Sequence, residues 1–166
     1  MSTEMELSST LTNKANLSIP SAKMLFDFFN EVKIGVFKGI PNLRWVGPDR
    51  FEFFQDTSNP FQFHRYNGEI INPEQMYTDG GSIPRIVQSM PDLSPWEYGP
   101  AYIIHDWEFE AHHRNLNQKT FDAVNRTLAE GIKTLMDACI VQKNYVALYT
   151  IWLAVSSPVA KSIWNG

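Results

Sequence analysis

Apolar residues recur three or four apart through residues 21–33. Met24, Leu25, Phe28, Phe29 and Val32 fall on one side of a 3.6-residue period, which predicts an amphipathic helix. Ser21, following Pro20, is placed to cap its N-terminus. Gly35, Gly39 and Pro41 then break the pattern. From 43 to 77 the pattern is that of strands. Residues 43–46 and 51–55 flank a Gly47-Pro48-Asp49 turn, and Phe61, Phe63 and Arg65 alternate with Gln62, His64 and Tyr66. Asn67-Gly68 is a hairpin signal, with residues 69–71 as the return strand. These segments predict a small antiparallel β-meander with large aromatics on one face.

The helical period returns after residue 82. Residues 83–90 read as a short helix capped by Ser82, and residues 100–114 as a second. Residues 118–140 form a long third, capped by Asn117, with Phe121, Val124, Leu128, Ile132, Leu135 and Met136 on its apolar stripe. Residues 145–155 form a fourth. The predicted architecture is α+β: one N-terminal helix, the meander, then a helical half. Residues 1–19 are rich in Ser, Thr and Asn and read as a polar arm. Residues 20–166 read as a single α+β domain.

Composition narrows the class of protein. The 166 residues carry a net charge of −4. That balance argues against general nucleic-acid binding, which needs a basic face to displace counterions. Lys23, Lys33 and Lys38 come closest to a basic cluster, but Asp27 and Glu31 sit among them. With one cysteine, Cys139, neither an intrachain disulfide nor a cysteine zinc site can form. Cys139 falls in the apolar run of the third helix and reads as an inert core thiol. No basic and apolar leader marks a secretory signal, so a cytoplasmic or phage-particle location is expected. Residues 144–160 carry no charge but include Thr150, Ser156, Ser157 and Pro158. They read as a buried helix, not a membrane span.

Two polar signatures carry the candidate chemistry: DGGSIPR at 79–85 and AYIIHDWEFEAHH at 101–113. In the first, Gly80 and Gly81 permit a sharp turn, Ser82 can cap a helix, and Pro84 suits its first turn. Asp79 enters this turn beside a helix N-terminus, a mild anion site. In the second, three of the chain's four histidines lie on one helix. His105 shares a polar row with His112, and Asp106 with His113, with Phe109 between the rows. Glu108, on the outer flank, can pair with His112. Seven residues separate His105 from His112, about 10 Å along the axis, so both cannot hold one ion without a bend in the helix. The compact set is therefore His105, Asp106 and a partner from another element, with Asp79 placed to complete it. His112 and His113, beside Arg114, read as a solvated helix end, and His64 as a cross-strand surface residue. His105 and Asp106 follow the apolar Tyr102-Ile103-Ile104, so both should be buried and partnered. Asp122 is a weaker third carboxylate.

At these residues the chain resembles a small domain family of unknown function found in bacteria and tailed bacteriophages. The family's signature is Thr-Asp-Gly-x-Ser-Ile-Pro-Arg, a spacer, then an apolar run ending in His-Asp. Thr78, Asp79, Gly80, Ser82, Ile83, Pro84 and Arg85 match the first part, and Pro100, Ala101, His105 and Asp106 the second. Asp122 falls where the family's helix carboxylate is expected. The resemblance covers about residues 43–155 and implies that Asp79, Ser82, His105 and Asp106 form one cluster. The His-Asp doublet also resembles that of metal-dependent phosphohydrolases, where His64 would have to be the upstream histidine.

Two functions follow as expectations. One is a hydrolase acting on a phosphoester, peptide or cell-wall bond. In it Asp79, His105 and Asp106 bind one divalent metal, zinc or similar, or polarise a water. Ser82 is then an anion-holding group, or a nucleophile with His105 as its base. The other is a non-catalytic component of a phage or bacterial assembly. Its polar arm would dock on protein partners or on further copies of the chain, and the cluster would be a buried hydrogen-bond network.

Overall fold

The computed structural model describes residues 20–79 and 96–166. Helix α1 (Ala22–Glu31) begins where its pattern predicts: the Ser21 side chain accepts from the Met24 N–H at 3.2 Å. Six short strands follow: β1 (Val36–Lys38), β2 (Asn42–Gly47), β3 (Arg50–Phe54), β4 (Gln62–His64), β5 (Ile70–Ile71) and β6 (Met76–Thr78). The helical half then comprises α2 (Gly99–His113), α3 (Phe121–Asp137), α4 (Tyr145–Val155) and α5 (Pro158–Asn165). The fold is α+β. The predicted helix at 83–90 lies outside the described residues.

The strands do not form one meander. They form two antiparallel three-stranded sheets, ordered β1-β4-β5 and β2-β3-β6. The reason is β1, which the glycines around it concealed. Val36 pairs with His64 and Lys38 with Gln62, so β4 takes β1 as its neighbour, not β3. Gly35 lets the two chains meet, because a Cβ there would stand 2.4 Å from the His64 carbonyl oxygen. Phe53, Phe63, Ile71 and Met76 from the strands, with Phe61 just before β4, pack on Ile103, Ile104 and Trp107 of α2. A second core joins α1, α2, α3 and α4 through Phe29, Tyr102, Leu128, Ile132, Leu148 and Ile151. Gly131 brings α3 close to α2, its missing Cβ lying 3.0 Å from the Ala101 Cβ.

Helix ends depart from expectation in informative ways. Helix α3 is capped by Thr120, whose hydroxyl accepts from the Ala123 N–H at 3.2 Å, and not by Asn117. Asn117 instead donates to the Glu108 carbonyl. Cys139 is not a core thiol: it is exposed, beyond the end of α3, with φ +56°. The uncharged run at 144–160 breaks into two helices bent by 49°. In α4, Ala147, Leu148, Ile151 and Val155 are buried while Val146 and Leu153 face out, so this helix is half-buried. Among the described residues no single helix is long and apolar enough to cross a membrane.

Candidate functional site

Asp79 leaves the end of β6, where Thr78 pairs with Phe51 of β3. Helix α2 lies against this strand end. The Thr78 hydroxyl donates to Asp106 Oδ2 at 2.5 Å, tying sheet to helix. Asp79 and Asp106 both line an open cleft of about 490 Å³. Asp49 of the β2–β3 turn, Arg50 at the start of β3, Glu110 and His113 of α2, and Ile163 of α5 complete much of its wall. The Arg50 guanidinium lies over the Tyr77 ring, 4.1 Å from its centre, which fixes one positive charge at the rim.

His105 points elsewhere. One residue along a helix turns the side chain by about 100°, so the doublet divides between two neighbours. Asp106 faces β6, and His105 faces α3. The imidazole is 2% exposed, 4.8 Å from the Phe109 ring. Its Nε2 lies 3.0 Å from the Asn125 side-chain oxygen, so the ring carries its proton there and donates it. Burial pushes the His105 pKa down to about 4, against the opposing pull of the Asn125 hydrogen bond. The ring is neutral at pH 7.

The structure does not bring the expected set of Asp79, His105 and Asp106 to one place: Asp79 and Asp106 line the cleft, and His105 is held against Asn125. Among the described residues no group of three or more His, Cys, Asp or Glu side chains is arranged to hold a metal ion. Asp122 is exposed in the first turn of α3 and does not line the cleft. His64 bonds Gln62 at 2.9 Å within β4 and does not line the cleft. Ser82, Gly80, Gly81 and Pro84 lie outside the described residues. The two histidines at the end of α2 differ: His112 stacks on Trp164 at 3.6 Å, half-buried, and His113 is exposed beside the Ile163 carbonyl.

Glu108 is not on an outer flank with His112. It is 1% exposed and pairs with Lys119. Lys119 also pairs with Glu69, and Arg65 bridges Glu69 at 2.7 Å and Glu130 at 3.0 Å. This ionic network joins the β4–β5 hairpin to α2 and α3. One oxygen of Glu108 is buried without a hydrogen-bond partner among the described residues. Burial pushes the Glu108 pKa up to about 7, although Lys119 pulls it down.

Sequence reasoning missed Asn125, Thr78 as a ligand of Asp106, and the whole ionic network. Asn125 left a signal. It stands at i+4 from Phe121 and three before Leu128, a polar side chain on an apolar stripe. The network left none, because Arg65 and Glu130 meet only through tertiary packing.

Comparison with curated proteins and with solved structures finds no match. A family model does match residues 56–155, a span that holds β4, β5, β6, α2, α3, α4 and both carboxylates of the cleft. The chain therefore belongs to the family described as "Protein of unknown function (DUF1353)".

Proposed function

We propose that the cleft is a hydrolytic site in which Asp79 and Asp106 move the protons. The observation that carries this reading is that Asp79 and the largely buried Asp106 line one open volume, while the nearby imidazole is held against Asn125. One carboxylate takes a proton from the attacking water. The other, protonated, gives its proton to the departing oxygen or nitrogen, so the pair ends with its roles exchanged. His105 is a positioning residue, holding α2 against α3 through Asn125.

The lining charges favour one substrate class. Among the described residues that line the cleft, Asp49, Asp79, Asp106 and Glu110 outnumber Arg50. Such a lining repels a phosphoester and tolerates an uncharged or cationic substrate, which fits a cell-wall glycan or peptide bond.

The test is incubation of the full chain with purified cell-wall peptidoglycan, following new reducing ends and free amines. Wild type releases one or the other. Asp79→Asn and Asp106→Asn keep the wild-type circular dichroism spectrum and lose at least about a hundredfold in rate. Absence of both products, or variants cleaving at the wild-type rate, overturns the reading.

A second reading is favoured by the hydrogen bonds themselves. Thr78–Asp106 and His105–Asn125 each join two elements, as a purely structural lock would. The chain is then a non-catalytic component of a phage or bacterial assembly, held to protein partners or further copies through residues 1–19. Deleting residues 1–18 should abolish assembly on size exclusion and leave the fold intact. Retained assembly defeats this second reading.

A further inference from the structure

A second hollow, sharing no residue with the cleft, opens between α1, the β4–β5 hairpin, α3 and α4. Its volume is about 230 Å³. Three aromatic side chains line it: Phe28, Tyr66 and Trp152, with the Phe28 and Trp152 rings 4.8 Å apart and tilted by 40°. Its charged lining comprises Lys33, Arg65 and Arg126 against Glu31 and Glu130. That leaves one positive charge in excess, in a chain whose net charge is −4.

The cations differ in what they do for the fold. The Arg65 side chain is only 10% exposed, and Glu130 and Glu69 hold its guanidinium. It is a fixed part of the floor. Arg126 and Lys33 are exposed and form no ion pair among the described residues. Elsewhere, Lys23, Arg44, Arg114, Lys119 and Lys143 pair with carboxylates, while Lys38, Arg50 and Lys161, like Arg126 and Lys33, form no ion pair among the described residues. Lys133 caps α1 through the Phe29 and Val32 carbonyls. Two cations without an ion pair among the described residues therefore line a recess that three aromatic side chains also line. Ring faces stack on ring faces, and a guanidinium recognises a carboxylate or phosphate in its plane.

We propose that this hollow binds a small aromatic anion, its ring held against Trp152 and Phe28 and its carboxylate or phosphate held by Arg126 and Lys33. The test titrates the full chain with 2-naphthoate and with its uncharged analogue 2-naphthalenemethanol, by calorimetry and by the NMR signal of the Trp152 indole N–H. The expected result is saturable 1:1 binding of naphthoate that moves the Trp152 signal, with the alcohol at least about fivefold weaker. Arg126→Gln and Lys33→Gln change exposed side chains and so preserve the fold. Each should weaken naphthoate at least about threefold and leave the alcohol unaffected. No saturable binding, equal affinity for the alcohol, an unmoved Trp152 signal, or wild-type affinity in the Arg126→Gln, Lys33→Gln double variant overturns the proposal.

Discussion

Replacing His105 by Ala would empty a site enclosed by Phe109 and Asn125 and leave the Asn125 oxygen without its donor. Loss of packing and of one buried hydrogen bond together should cost about 2–4 kcal/mol. Urea unfolding measures it, and a loss below about 1 kcal/mol would show that the ring is not part of the lock. Asp106→Asn is a milder change, since its amide oxygen can still accept from Thr78. Much of this was legible in the chain. An apolar Tyr102-Ile103-Ile104 run ahead of two ionisable groups announced that both would be buried and partnered. Their convergence on one site was not legible, because a helix turns neighbouring residues toward different elements. The family resemblance placed Asp79 and Asp106 together, and they do share a cleft. It also grouped His105 with them, and helical rotation separates it.

Helices α2 and α3 both end in the same way. In α2, Leu116 N–H donates to the Ala111 carbonyl at 2.7 Å and Asn115 N–H to His112 at 2.9 Å. In α3, Ile140 N–H donates to Leu135 at 3.0 Å and Cys139 N–H to Met136 at 3.1 Å. Each is a Schellman motif, whose left-handed position favours Gly and tolerates Asn. Here it holds Asn115 at φ 58° and Cys139 at φ 56°. Cys139→Gly should therefore stabilise the chain by roughly 0.5–1 kcal/mol, raising the melting temperature by a few degrees. An unchanged or lower melting temperature contradicts this account of the helix end. Such ends are hard to read from sequence when no glycine marks them, and the apolar pattern accordingly runs to residue 140, three residues past the end of α3. Strand β1 was missed for the opposite reason. Its glycine neighbours read as punctuation, whereas Gly35 is there to let the backbone of β4 approach.

At the scale of the whole molecule, two buried groups set opposing responses to pH. His105 has a folded pKa of about 4 against an ordinary 6.5, so its contribution to stability is lost as pH falls from about 6.5 toward 4. Glu108 has a folded pKa of about 7 against an ordinary 4.5, so its contribution is lost as pH rises from about 4.5 toward 7. Between these limits the two slopes largely offset each other. Glu108→Gln removes one of them, and the variant's unfolding free energy should then rise with pH between about 4.5 and 6.5, by roughly 1 kcal/mol per unit. A variant profile as flat as the wild type's would refute the pairing of these two effects. The Glu108 half of this was not legible beforehand, since Glu108 read as an outer-flank residue and its ionic partners lie on distant segments. The α+β class was legible, because it depends on local periodicity alone. The exposed thiol has a practical sequel. As the chain's sole cysteine, Cys139 accepts one maleimide dye without any mutagenesis, and the label stands at the junction of α3 with the loop leading to α4. Covalent dimers formed in air can likewise have only one linkage, which reducing agent removes.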